Sequence, residues 1–419
     1  MKVKTYTNGL RLLTIPDEHA LTATIMILVG TGSNYESENE QGISHFVEHM
    51  LFKGSSLFAS SREISVAFEK IGAVSNAFTS NEYTGYYAKG APKHVPTFLT
   101  ILSDIYTSAT FPVEEIEKEK GVVVEEIAMY EDMPQHVVGE ALVKTMYPGS
   151  PRGRSVAGTK ESVRSLSQKQ LLAYTRKHYV PSNTIVVASG NIDPKEVEHL
   201  VKKTLGTHEA ATVKSTKTSA TLQKTFAQTF VPKPVDQAHI SIGFHGFALG
   251  APEGPAAVLL ATILGRGMSS RLFQLLREEL GVAYYVSATH DAYKDYGIFE
   301  LSLGVEKSQK SMALKKIADV LTDLKNTEVT ADELAKAREY TLGTARLGLE
   351  ASDEIAAFFG VQLLLRGSYK TVETLAKEYK AVTPEDIKAL ARRLFISKNA
   401  SLAYVGQKED LDTTPFASL

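Results

Sequence analysis

The strongest constraint on the fold of this 419-residue chain is that the same pattern occurs in it twice. Residues 171–190 lie over residues 387–406 without a gap, so that Ala173, Arg176, Asn183 and Gly190 recur as Ala389, Arg392, Asn399 and Gly406. Both stretches read as a helix, a turn and a buried strand ending in glycine. Earlier in each half a strand-like apolar run, 22–30 and then 239–247, precedes a helix that ends at Gly72 or Gly281. A glycine just past a helix suits the left-handed C′ position, and a long β pattern follows each one. A chain that repeats a whole set of elements builds one structural unit per copy. The small, polar, aperiodic stretch 207–224 falls between the copies and reads as a linker. The expected fold class is therefore α+β: two homologous α/β sandwich domains, 1–206 and 225–419, each a mixed, mostly antiparallel sheet covered by helices.

Composition removes several classes of function. The chain has no cysteine, which excludes disulfides, thiolate catalysis and Cys-ligated zinc or iron–sulfur sites. Any metal must rest on histidine and carboxylate. Lys and Arg number 46 against 48 Asp and Glu, for a net charge of −2, so there is no electrostatic pull toward nucleic acid or an anionic membrane. No apolar run approaches the roughly 18 residues that cross a bilayer. The opening residues lack the apolar core of a signal peptide, so the expectation is a protein that is cytoplasmic or already processed, with no membrane partner.

The chemistry concentrates in residues 42–54. Ile43, Phe46, Val47, Met50 and Leu51 follow the spacing of a buried helical face, and His45, Glu48 and His49 lie off it. Histidines four apart stand one above the other on a helix, with about 5–6 Å between Cβ atoms, so both imidazoles can reach one ion. Zinc fits, because it takes imidazole and carboxylate ligands at about 2.0–2.2 Å in a tetrahedral arrangement. Glu48, one residue before the second histidine, is placed to take a proton from water. The pattern H-x-x-E-H is the inverse of the H-E-x-x-H zinc protease motif.

A catalytic zinc usually has three protein ligands and a position for water. The richest downstream source of carboxylates is residues 113–131, read as a helix despite Gly121. At about 100° per residue, Glu119 and Glu126 fall on nearly one face and Glu125 points away from it. Periodicity leaves Glu119 and Glu126 both open as the third ligand.

With these residues in view, the chain resembles the pitrilysin family of zinc peptidases over essentially its whole length. The family pattern is H-x-x-E-H followed, about 76 residues on, by a glutamate ligand, with another glutamate seven residues before it. The resemblance implies His45, His49 and Glu126 as ligands of one Zn2+ per chain, Glu48 as general base, and Glu119 as a carboxylate orienting a ligand histidine. It further implies that Asn76, Ala77 and Phe78 lie on an edge strand that binds substrate backbone. Arg277 and Tyr284, separated by six residues, would hold the substrate and the transition-state oxyanion.

The repeat gains meaning from this resemblance. Aligned on Glu115 and Glu333, the second half puts Ala337 opposite Glu119 and Thr344 opposite Glu126, and it contains no H-x-x-E-H. That is the family's layout of an active domain followed by a degenerate copy. Relatives of this length act as dimers closing like a clamshell around oligopeptide substrates. The expectation here is a zinc endopeptidase acting as a homodimer, with a heterodimer as the other arrangement and Arg277 and Tyr284 serving the partner's site. The competing expectation is a catalytically silent clamshell subunit serving binding or assembly.

Overall fold

A computed structural model describes residues 1–213 and 225–419, so the part of the expected linker at 214–224 lies outside the described residues. Among the described residues, eleven strands form two sheets. The first contains β1 (Lys2–Thr5), β2 (Arg11–Pro16), β3 (Ala23–Val29), β4 (Val74–Thr79), β5 (Thr84–Gly90) and β6 (Thr184–Gly190). The second contains β7 (Ala227–Pro232), β8 (Gln237–His245), β9 (Ala283–Ala292), β10 (Gly297–Glu306) and β11 (Ala400–Gly406). Their orders are β1-β2-β6-β3-β5-β4 and β7-β11-β8-β10-β9. Without β1, the two orders match term by term. In each, one pair is parallel (β2 with β6, β7 with β11) and the rest are antiparallel.

The duplicated segments sit where the alignment requires. Helix Gln168–His178 leads into β6 and helix Pro384–Leu394 into β11. Gly72 and Gly281 both have left-handed backbones, with φ of +63° and +66°, so each lets the chain leave its helix in a direction that other residues disfavour.

β3 and β6 are buried along their whole length because both faces of the sheet are covered. On one face Ile25, Ile27, Val186 and Ala188 join a core with Ile43, Phe46, Val47 and Met50 of helix Ile43–Met50. On the other, Met26, Leu28, Ile185 and Val187 meet Ala356, Phe359 and Leu363 of helix Ser352–Arg366. Polar contacts fix that helix: Thr24 Oγ1 lies 2.8 Å from Ser352 Oγ, Lys89 pairs with Asp353 at 2.6 Å, and Arg11 donates to the Leu363 carbonyl at 3.0 Å. In the second unit, helix Pro134–Met146 supplies Val138, Leu142 and Met146 to a core with Ala403 and Val405. Thr145 bonds Thr229 at 2.6 Å, and the buried Arg152 pairs with Asp295 at 2.6 Å while stacking on Tyr296.

The compact units are therefore not the contiguous stretches expected from the sequence. One comprises Met1–Ala128, residues 154–213 and Leu347–Tyr369; the other comprises Met129–Gly153, residues 225–346 and Lys370–Leu419. Each unit is completed by a helix from the opposite half of the chain. An apolar helical face is satisfied by any sheet of the right shape, and its sequence carries no address.

Candidate metal centre

Helix Ile43–Met50 places the H-x-x-E-H residues. Its apolar side, Ile43, Phe46, Val47 and Met50, is fully buried, which fixes its rotation and leaves His45, Glu48 and His49 half-buried. Glu36 holds its N-terminus from outside, accepting the backbone N–H of Gly42 and of Ser44 at 2.9 Å each. A carboxylate there meets the positive end of the helix dipole.

The 19-residue helix Val113–Glu131 brings up the carboxylates. His45 Nε2 lies 3.7 Å from one oxygen of Glu126, and His49 Nε2 lies 3.5 Å from the other. The two Nε2 atoms are 3.3 Å apart. Donor atoms from His45, His49 and Glu126 all fall within 4.8 Å of one another, and among the described residues this is the one such group. Glu119 does something different: it accepts the Nδ1–H of His49 at 2.8 Å and pairs with Lys53 at 2.6 Å through its second oxygen. The structure thus separates the two glutamates that periodicity left equivalent. Glu125 is exposed.

Electrostatics agree with this division. Burial, with His49 alongside, pushes His45 down to about 4, so it is neutral at pH 7, the form that ligates metal. For His49, desolvation opposes charge, but the hydrogen bond and charge of Glu119, with Glu48 and Glu126, hold it above its ordinary value. Desolvation also raises Glu48, against a hydrogen bond from Thr79. Glu119 resists desolvation through His49 and Lys53 and stays below the usual carboxylate range. Two imidazole nitrogens and a carboxylate, with one imidazole oriented by a carboxylate at its other nitrogen, are a donor set that fits zinc.

The remaining candidates fall into two groups. Asn76, Ala77 and Phe78 lie on β4, which among the described residues pairs only with β5 and is one edge of the sheet. The Ala77 N–H is taken by Asn76 Oδ1 at 2.9 Å, and Phe78 packs toward helix Ser352–Arg366. Arg277 and Tyr284 belong to the second unit and touch each other, the Arg277 guanidinium donating to the Tyr284 carbonyl. Arg277 sits on a wide π-helical turn, Gln274–Glu279, over the Phe273 ring, and Tyr284 is 54% exposed.

Sequence reasoning missed Lys53, Thr79 and Glu36. Lys53 stands four residues after His49, and Thr79 stands two after Ala77 on the same strand face, so helical and strand periods would have found both. Glu36 precedes its helix across a loop and gave no periodic signal.

Known proteins share these features. Residues 11–160 match the family described as Insulinase (Peptidase family M16), and residues 165–340 match the Peptidase M16 inactive domain. A Bacillus subtilis protein described as uncharacterized zinc protease YmxG is 36% identical over 94% of this chain and 96% of its own. The chain belongs to peptidase family M16. A Streptomyces coelicolor M16 relative, also described as an uncharacterized zinc protease, is 32% identical over 97% of this chain and 89% of its own. The M16 fold is seen again in a Helicobacter pylori protease, with a TM-score of 0.91 and 23% identity over 96% of this chain and 98% of that one. A Pseudomonas fluorescens M16 inactive-domain structure matches with a TM-score of 0.88 and 17% identity over 98% and 99%. The relatives' description as zinc proteases agrees with the donor set. No helix among the described residues is long and apolar enough to cross a membrane.

Proposed function

We propose that this chain is a zinc endopeptidase that hydrolyses unstructured oligopeptides, with His45, His49 and Glu126 as metal ligands and Glu48 as general base. The reading is carried by the convergence within 4.8 Å of donors from His45 and His49, on the helix that also bears Glu48, and from Glu126 on helix Val113–Glu131. Bound zinc would supply a Lewis acid that polarises a carbonyl and lowers the pKa of water toward about 7. Glu48 takes a proton from the attacking water and later delivers it to the leaving amine. Its burial suits the first task, since desolvation raises the proton affinity of the carboxylate above its ordinary value. The free edge of β4 pairs with an extended substrate backbone by strand addition, a sequence-tolerant mode of binding, and the Asn76 side chain gives way to a substrate carbonyl at the Ala77 N–H. Arg277 and Tyr284 stabilise charge developing on the scissile oxygen. Two chains form a homodimer that encloses the reaction in a chamber and admits unfolded peptides.

The second reading, a silent clamshell subunit, draws on the match of the later residues to a domain described as inactive. Against it, the first half keeps every ligand and the base. The deciding experiment is digestion of a mixed peptide library with and without a chelator, alongside Glu48→Gln. Cleavage that needs metal and Glu48 supports the peptidase. A zinc-loaded protein that binds peptides and cleaves none supports the silent subunit.

A further inference from the structure

We infer that Thr79 positions the carboxylate of Glu48 and so selects which of its two oxygens handles the proton. This role rests on the peptidase reading. The Thr79 hydroxyl donates to Glu48 Oε2 at 2.6 Å, and no other described residue hydrogen-bonds that side chain. A threonine hydroxyl has one proton to give, so the bond ties down Oε2 and leaves Oε1 for the water. Glutamate has three rotatable bonds, and anchoring one oxygen removes rotamers that would hold the base off its target.

Thr79 suits the task because its neighbours on the strand and in the turn after it are held in place. On β4 side chains alternate: Ala77 packs toward the core that contains helix Ile43–Met50, and Phe78 toward the opposite core. Period two returns Thr79 to the side of Glu48. The turn after it is clamped on both flanks. Ser80 N–H donates to the Tyr83 carbonyl at 2.8 Å, Asn34 N–H to Asn81 O at 2.8 Å, and Ser33 N–H to Ser80 O at 3.3 Å. At Gly32 a Cβ would lie 2.1 Å from Ser80 O, so glycine is needed for that approach. The β-branched side chain adds its own stiffness at χ1. The strand proposed to receive the substrate backbone thus also sets the base, and scissile bond and base are located from one rigid element.

The test compares two variants of the zinc-loaded, full-length protein. Thr79→Val keeps the shape and loses the hydroxyl, whereas Thr79→Ser keeps the hydroxyl. With an unstructured peptide, kcat of Thr79→Val is expected to fall roughly 10- to 100-fold with KM and zinc content unchanged, and Thr79→Ser to restore most of the loss. Unchanged kcat in Thr79→Val, a loss carried by KM or by zinc content, or no recovery in Thr79→Ser overturns the role. A crystal structure of zinc-loaded Thr79→Val gives a readout independent of turnover: the Glu48 carboxylate is expected to rotate or spread over several rotamers. If the wild-type protein cleaves nothing, the peptidase reading fails, and the crystal structure alone decides Thr79; a Glu48 carboxylate that keeps its wild-type orientation there overturns the assignment.

Discussion

The carboxylate of Glu119 accepts the Nδ1–H of His49 at 2.8 Å. With a carboxylate at Nδ1, the proton resides there and the Nε2 lone pair is left facing Glu126 and His45. Lys53 holds the other Glu119 oxygen at 2.6 Å, so the orienting group is itself oriented. Loss of such a partner typically costs 10- to 100-fold in metal affinity. Glu119→Ala is therefore expected to weaken zinc binding by roughly that factor, and Lys53→Ala by less, in competition with a chromophoric chelator. Wild-type affinity in Glu119→Ala would take the orienting role away from it.

Glu126 contacts both imidazole Nε2 atoms, whereas its neighbour Glu125 is exposed. Metal analysis after dialysis should find zinc lost from Glu126→Ala and retained at wild-type stoichiometry in Glu125→Ala. Equal zinc in the two variants would mean that another group closes the site.

His178 contributes a pH dependence of stability far from the metal chemistry. It is 2% exposed, its Nε2 is buried without a partner, and its ring lies 4.5 Å from that of Tyr174. Burial, helped by Lys177, lowers its pKa to about 4. The unfolded chain takes up this proton near 6.5 and the folded chain only near 4. Between those values the unfolded state binds more protons, so stability is complete above about 6.5 and falls as the pH drops toward 4, by at most about 1.4 kcal/mol per pH unit. His178→Phe keeps the ring and removes the titration, so its melting temperature should decline less steeply than that of wild type over this window. Parallel curves for the two proteins would show that His178 is protonated alike in both states.

Arg277 and Tyr284 touch each other in the second unit, and the homodimer proposal assigns them to the partner's zinc site. Mixing an inactive Glu48→Gln chain with an inactive Arg277→Ala chain should restore activity, because one of the two sites in a mixed dimer is then intact. If each site is completed within its own chain, no activity returns.

The chain's local chemistry was largely open to reading without coordinates. Ile43, Phe46, Val47 and Met50 recur at helical spacing, and that spacing alone turned His45, Glu48 and His49 to one side. Gly72 and Gly281 marked helix ends because positive φ is costly for other residues. The equivalence of the two sheets was legible because the copies kept a common order of elements. Less could be read wherever two distant segments had to meet. Period placed Glu119 and Glu126 on one face, yet only the packing of helix Val113–Glu131 decided that Glu126 meets two imidazoles and Glu119 meets one.

By itself the sequence determined that the chain is a duplication and which half carries the H-x-x-E-H residues and the glutamates that follow them, because residue identity and spacing are local properties. Tertiary structure alone decided that helix Ser352–Arg366 covers the first sheet and helix Pro134–Met146 the second. It also decided that Thr79 hydrogen-bonds Glu48 and that Lys53 pairs with Glu119, beside the candidate donor group. Apolar burial is non-directional, so a helix's sequence states that one face needs cover but not which sheet provides it. A hydroxyl or an ammonium likewise gains a role only when the fold sets a carboxylate within hydrogen-bond reach.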